Sequence, residues 1–369
     1  MTPIEFRRHL HRHPELSFRE EQTARFIGDA LTAEGIGWRP IAGTGILAKI
    51  EGTRAVATRQ AAVLRADIDA LPIDEVVDCE WRSQKQGVMH ACGHDMHAAV
   101  LFGVLVRLQR DRDFAGTVFG LFQPAEECNP GGALAVLAEN PFEGYEVKAV
   151  IGAHVEAGME VGSFGFCAGK FMASNDELRL TVKGKGGHAA MREKLTDPVV
   201  AAAETVLRLW ELNGTECVVS TGRIAADGAT NVIPDEVKTE GTMRTYDETL
   251  RADTKRAIMR IASETDAKYG TSTVVEISEG YPCVVNDGKL TEMAVQTAVE
   301  SGFEVVRLPR RATSEDFGRY GLHYPSLFYR FGVGRDSGAT HTSRFDPDER
   351  AADCGIAFME KLVRRIVNE

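Results

Sequence analysis

The sequence predicts an α/β fold, with a sheet covered by helices on both faces, carrying an inserted α+β domain of ferredoxin-like topology. Three observations predict it. The chain has 369 residues, which is long for one ordinary core and suits two domains. Its outer portions hold apolar runs of strand length separated by helical stretches, the pattern of a sheet buried on both sides. Near Ser174 the texture changes to period-two alternation, and the elements that follow run β-α-β-β-α-β.

The elements follow in order. Pro3 opens a helix in which Ile4, Leu10 and Leu16 alternate with charge, and His13-Pro14 breaks it. Glu20 to Leu31 resumes a helical pattern that stops near Gly35. Strands are expected at 45–50, 61–66, 118–122 and 147–153, with helices at 97–110 and 131–139. In the inserted portion, Glu177 to Lys183 alternates as a half-buried strand. Asp197 to Leu212 is an amphipathic helix with Pro198 near its start, where proline is tolerated. Strands at 217–225 and 236–244, a helix at 248–269 ending at Gly270, and a strand at 272–277 complete the unit. The first domain then resumes near Tyr281, with a helix at 289–301, a strand at 326–332 and a closing helix at 348–367. The expected domain boundaries are 1–173, 174–280 and 281–369. No internal repeat or low-complexity tract is present.

Composition narrows the function. Hydrophobic residues make up 43% and charged residues 26%, the mix of a globular protein rather than a disordered one. The net charge of -11 argues against nucleic acid and anionic membrane surfaces as partners. No stretch approaches the ~20 apolar residues of a membrane span. The first residues lack the apolar segment of a signal peptide, so the expected location is the cytoplasm. The seven cysteines are odd in number and irregularly spaced, which makes free thiols the expectation.

Five local features carry chemistry. The run Met89-His-Ala-Cys-Gly-His-Asp-Met-His97 places Cys92, His94 and Asp95 within four residues, donors that suit zinc and similar divalent ions. Its bland alternative is a polar helix start with a chance histidine cluster. Phe122-Gln-Pro-Ala-Glu-Glu127 sets paired carboxylates at the end of an apolar strand, where open α/β sheets place ligands. One glutamate could face a metal while its neighbour moves a proton, or the pair could be an exposed acidic turn. His154 follows another strand. Arg65-Ala-Asp67-Ile-Asp69 ends a fourth; an aspartate there could orient a ligating histidine, or pair with Arg65. His341 lies in a glycine-rich loop before the last helix. Their joint placement at strand ends and loops of one sheet is what points to a metal centre.

The strings RADIDALP, MHACGHDMH, FQPAEE, GAHV, GKGGHAAM, NVIPDEVKTEGTMR, SEDFG and HTSRFDPDE occur here in the order seen in the amidohydrolase group of the dinuclear-metal aminoacylase and carboxypeptidase superfamily. That group includes hippurate hydrolase, indole-acetyl-amino-acid hydrolases and N-acetyl-diaminopimelate deacetylase. The resemblance runs from about His9 to the last helix. It implies a catalytic domain with a mixed β-sheet and an inserted lid that often dimerises. It implies that Cys92, His94, Glu127, His154 and His341 ligate two divalent cations (zinc, manganese, cobalt or nickel), with Cys92 as the bridge. Glu126 resembles the general base and Asp67 the aspartate that orients the metal site. His188, Asn231 and Arg244 of the lid resemble residues that hold the scissile carbonyl and the substrate carboxylate. The implied activity is hydrolysis of the amide bond of an N-acyl amino acid or similar small molecule, or a dipeptidase or aminoacylase-type cleavage of the same superfamily.

The sequence departs from that group at Met191 to Leu195, at Glu156 and at Cys128-Asn-Pro130. None of these is an expected ligand or base, so the departures bear on specificity. Two rival functions are a thiol hydrolase with Cys92 as nucleophile and a non-catalytic metal-binding protein. The first leaves His154, His341 and the paired glutamates without a role. The second would require loss of the base, and Glu126 is present.

Overall fold

The computed structural model describes all residues from Met1 to Glu369. Its elements in chain order are α1 (Pro3–Arg12), α2 (Glu21–Ala33), β1 (Gly37–Ile41), β2 (Gly45–Glu51), β3 (Gln60–Asp67), α3 (His94–Arg110), β4 (Thr117–Gln123), α4 (Gly132–Ala138), β5 (Glu146–Glu156) and β6 (Ser163–Phe166). There follow β7 (Gly169–Met172), β8 (Asp176–Lys183), β9 (Gly187–His188), α5 (Pro198–Trp210), β10 (Cys217–Ala226), β11 (Val232–Ile233), β12 (Glu236–Thr245), α6 (Glu248–Tyr269) and β13 (Ser272–Ile277). The chain ends with β14 (Val284–Asn286), α7 (Gly288–Glu300), β15 (Glu304–Arg307), α8 (Gly318–Gly321), β16 (Ser326–Gly332) and α9 (Arg350–Asn368).

Two compact units divide the chain. The first comprises Met1–Gly169, Val285–Arg310 and Asp316–Glu369; the second comprises Lys170–Val284 and Arg311–Glu315. In the first, eight strands form one mixed sheet in the order β1-β2-β4-β3-β5-β16-β6-β15. Strands β4, β3, β5 and β16 are parallel neighbours at its centre. They are buried nearly throughout, as their continuous apolar runs require. On one face Leu64, Val118, Phe122, Ile151 and Tyr329 join a core with α1, α2, α3, α7 and α9. On the other, Phe119 meets Phe142 and Phe328 meets Phe317, beside the short helices α4 and α8.

Three of the eight strands, β1, β6 and β15, were not legible as strand. β1 exposes four of its five residues and β15 is four residues long, so neither carries an apolar run. α3 starts at His94 rather than His97. Gly93, with φ of +84°, makes the turn and its carbonyl accepts from the N–H groups of Met96 and His97. His94 therefore stands on the helix and not in the loop before it.

In the second unit, β8, β10, β12 and β13 form an antiparallel sheet in the order β10-β12-β8-β13. Leu178, Leu180 and Val182 alternate onto the face covered by α5 and α6, where Leu209, Ile258 and Ile261 meet them. Asp197 and Asp247 cap these helices by accepting from backbone N–H groups, and Gly270 ends α6 at φ of +72°.

Two buried tyrosines of the first unit test this core. Tyr320 donates its hydroxyl to Gln123 Oε1 at 2.8 Å. Tyr329 is fully buried and its hydroxyl reaches no hydrogen-bonding group of the protein. In denaturant unfolding, Tyr329→Phe should keep or raise stability by about 1 kcal/mol, while Tyr320→Phe should lower it by about 1 kcal/mol. Equal losses for both would contradict this packing.

Candidate metal centre

The centre is built at the carboxyl ends of the parallel strands, where each strand stops and turns its last polar side chains out of the sheet. Asp67 ends β3, Glu126 and Glu127 follow β4, and His154 lies near the end of β5. Cys92 and His94 flank Gly93 at the start of α3. His341 comes from the loop before α9, held at φ of +61° and anchored by its N–H to the Ala91 carbonyl at 2.8 Å.

Donor atoms of these residues converge. Cys92 Sγ is 3.2 Å from His154 Nε2 and 3.2 Å from His341 Nε2. Glu127 Oε1 is 3.2 Å from His341 Nε2 and 3.8 Å from His94 Nε2. His94 Nε2 is also 3.8 Å from Asp67 Oδ1 and 4.0 Å from Glu126 Oε2. Two groups of three donors share the thiol: Cys92 with His94 and His154, and Cys92 with Glu127 and His341. Two donors each about 2.1 Å from a tetrahedral cation lie about 3.4 Å apart, so the observed separations are those of ligands around an ion.

The histidine tautomers are set by their outer nitrogens. His154 donates Nδ1–H to the Val155 carbonyl at 2.7 Å, and His94 Nδ1 meets Asp69 Oδ1 at 3.1 Å. Both thereby turn their Nε2 atoms inward. His94 Nε2 is buried and makes no hydrogen bond, an arrangement that a bound cation would satisfy. His97, equally close in sequence, is excluded as a ligand. Its Nδ1 faces Asp67 Oδ1 at 2.6 Å, and its Nε2 accepts the Val155 N–H at 2.9 Å.

Electrostatics agree with a cation. Burial opposes charge on His94, but Asp67, Cys92 and Asp69 together outweigh it and raise His94 well above the usual range, so its surroundings call for a positive charge that a cation in place of the proton would supply. Burial lowers His154, which keeps it neutral. Burial would raise Asp67, yet His94, His97 and Arg65 hold it well below the usual range. Burial pushes the Cys92 thiol up to about 12. A thiol so placed is a poor free nucleophile and becomes a thiolate on binding a metal.

The Arg65-Ala-Asp67-Ile-Asp69 run supplies both of the roles expected of it, while Glu20 and Gly132 escaped the sequence reading. Asp69, not Asp67, takes the His94 Nδ1, and its Oδ2 also accepts the Glu127 N–H at 2.9 Å and the Ser17 hydroxyl at 2.7 Å. The pairing of Arg65 with Asp67 is also present, at 2.6 Å. Glu20 accepts the Ala125 N–H at 2.9 Å, and Ala125 itself has φ of +55°. Gly132 closes that loop by donating to the Ala125 carbonyl; a Cβ there would sit 1.7 Å from the Pro124 oxygen. The only local signal for these was the density of polar residues at strand ends.

His188, Asn231 and Arg244 belong to the second unit. β9 pairs with β11 so that His188 lies opposite Val232, and the Asn231 carbonyl accepts the Ala189 N–H at 3.0 Å. His188 and Asn231 are exposed. Arg244, on β12, is half-buried and donates to the Ala312 carbonyl at 3.0 Å.

Residues 63–365 match the model of peptidase family M20/M25/M40. The N-acetyl-L-cysteine deacetylase of Bacillus subtilis (strain 168) is 34% identical over 99% of this chain and 88% of its own length. Thermostable carboxypeptidase 2 of Saccharolobus solfataricus is 32% identical over 99% and 95%. The crystal structure of the Bacillus subtilis YXEP protein, a dinuclear metal binding peptidase from the M20 family, superposes with a TM-score of 0.88 at 33% identity, covering 99% of this chain and 97% of that one. The family model matched over residues 63–365, with relatives more than 30% identical along nearly the whole chain, places the chain in peptidase family M20/M25/M40.

Proposed function

We propose that the protein is a metal-dependent amidohydrolase that cleaves the amide bond of N-acyl amino acids or related small amides. The observation that carries the reading is the buried His94 Nε2, unpaired and facing three carboxylates at 3.8 to 4.0 Å. Cys92, His94, Glu127, His154 and His341 would hold two divalent cations. Such ions polarise a carbonyl and acidify water. Glu126 takes a proton from the attacking water and returns it to the leaving nitrogen. Asp67, held by Arg65 and His97, keeps its carboxylate beside His94. His188 and Asn231 hold the scissile carbonyl, and the planar fork of Arg244 holds the substrate carboxylate.

The name of the Bacillus subtilis N-acetyl-L-cysteine deacetylase supports a small acylated amino acid as substrate, and that of the carboxypeptidase supports a peptide. A hydrolysis screen of N-acetyl, N-benzoyl and indole-acetyl amino acids beside dipeptides, with zinc, manganese, cobalt and nickel added back in turn, identifies the substrate and the metal. No helix is long and apolar enough to cross a membrane. All seven cysteines are free, which suits the cytoplasm.

A homodimer through the second unit is part of the proposal. β10 is an edge strand that exposes Val218 and Ile224. Beside it, α5 turns Val199, Val200, Leu207 and Trp210 outward, the last two 66% and 71% exposed. An apolar stripe next to an open strand edge calls for a partner surface. Leu207→Asp with Trp210→Asp should convert a dimer to a monomer in sedimentation; a protein that is monomeric without substitution removes the dimer.

The metal assignment predicts about two divalent ions per chain. Cys92→Ala should lower occupancy and abolish activity, and EDTA should inactivate the unaltered protein. A fully active, metal-free Cys92→Ala protein would overturn the dinuclear centre.

The paired glutamates give the sharpest test. They are adjacent, so their side chains diverge, and Glu127 is the one in reach of both His94 and His341. Glu126→Gln should keep both metals and substrate affinity while kcat falls by roughly 10²–10⁴. Glu127→Gln should weaken metal binding, with activity partly restored at high metal concentration. The opposite pattern swaps the roles, and two active variants would refute the acid–base mechanism.

A further inference from the structure

A second buried polar cluster, outside the proposed chemistry, lies around His11 of α1. His11 Nδ1 is 2.9 Å from Asp95 Oδ2, and Nε2 is 3.2 Å from Glu75 Oε1. A neutral imidazole carries one N–H and one lone pair. A lone pair facing a carboxylate oxygen is repelled, so two carboxylate partners call for an N–H on both nitrogens. The surrounding charges require the same. Arg7, one turn earlier on α1, sets Nε 3.0 Å from Asp95 Oδ2 and Nη1 2.9 Å from Glu349 Oε1. Glu349 is shared with Arg8 at the rim. His90, from the loop, is pushed by burial down to about 4 and stays neutral. Within the buried set, Arg7 and a charged His11 balance Asp95 and Glu75; a neutral His11 would leave Glu75 only the Ser83 N–H and the more distant charge of Arg82 to offset its burial.

What the cluster grips is informative. Asp95 follows His94 in the first turn of α3, a turn that begins at Gly93 without a side-chain cap. That turn is held from outside, by α1. Glu75 also accepts the Ser83 N–H at 2.7 Å, and Leu71 exchanges two backbone hydrogen bonds with Met89. These contacts secure the segment that enters Cys92. His11 is thus bonded to Asp95 on one side of the Cys92–His94 turn and, through Glu75 and Ser83, whose hydroxyl donates to the Val88 carbonyl at 2.7 Å, to the segment on the other.

We propose that His11 is a doubly protonated clamp between Asp95 and Glu75, and that it acts as a positioning residue for Cys92 and His94; this rests on the reading of those two as metal ligands. Burial alone would depress His11, but Asp95 outweighs it, with hydrogen bonds to Asp95 and Glu75, and raises it to about 9. Because that lies above the unfolded value of about 6.5, the stabilisation is full below about pH 6.5 and is lost as pH rises through about 9.

Nitrogen NMR of the histidine-labelled full chain should show both His11 nitrogens protonated at neutral pH, with loss of one proton near pH 9. A His11 with one unprotonated nitrogen at neutral pH overturns the clamp. Cobalt(II) titration of His11→Gln, Glu75→Gln and the unaltered protein tests positioning. Affinity should fall roughly 10–100-fold in either variant, with an altered cobalt–thiolate absorption. Lower stability with unchanged affinity and absorption reduces His11 to a structural role and overturns the proposal. Failure of the unaltered protein to bind cobalt removes the metal reading instead. Glu75→Gln keeps the test available if His11→Gln does not fold. Where both fold, the double variant should be more stable than His11→Gln alone, because it removes the carboxylate left without its counter-charge; no recovery counts against the clamp.

Discussion

A guanidinium buried in the middle of a sheet must be surrounded by groups that satisfy its charge and its donors, and the candidate metal centre depends on how Arg65 meets that demand. The Arg65 side chain is fully buried. It donates to Asp67 on its own strand, to Gln123 at the end of β4, and to Asp316 at 2.7 Å. Asp316 in turn accepts from Gln123 and from the Ala133 N–H at the start of α4. Two strands, a helix and a segment nearly two hundred residues later are thereby drawn to one cation. The Glu126-Glu127 turn lies between Gln123 and Ala133, so its position follows.

From Asp67 the constraint passes on. Its Oδ2 is held by Arg65, which leaves Oδ1 for His97. His97 then receives the Val155 N–H, next to His154. Each hydrogen bond leaves the next group one available orientation, so a chain of fully used donors and acceptors aims the His154 Nε2. The same logic runs through Asp69, which orients His94 and fixes the Glu127 backbone. Four carboxylates and a thiol gathered in so dry a place are tolerable only with positive charge among them. Arg65 supplies part of it, and cations at the cluster would supply the rest.

The chemistry-bearing residue types were legible in the sequence because metal ligands come from a short menu and sit at strand ends, which apolar runs reveal. Cys92, His94, Glu127, His154 and His341 are brought together as a group. The supporting set was not legible. Glu20, Asp316 and His11 are separated from their partners by tens to hundreds of residues, and nothing in a lone glutamate or histidine says that it will be buried beside another segment's charge. The weak strands were missed for a related reason. β1 and β15 are strands because a neighbour offers hydrogen bonds at the sheet edge, not because their own side chains form an apolar pattern.

The sequence by itself determined the alternation of strands and helices, the change of texture that marks the second unit's β-α-β-β-α-β order, and the donor types available for a metal. These depend on local periodicity and residue chemistry, which a linear string carries in full. Only the tertiary structure decided which histidine nitrogens face the cluster, why His97, three residues from His94, has both ring nitrogens taken up by hydrogen bonds, and which aspartate orients which ring. Those outcomes rest on hydrogen bonds between segments distant in the chain, and their geometry exists only once the sheet has brought the strand ends together.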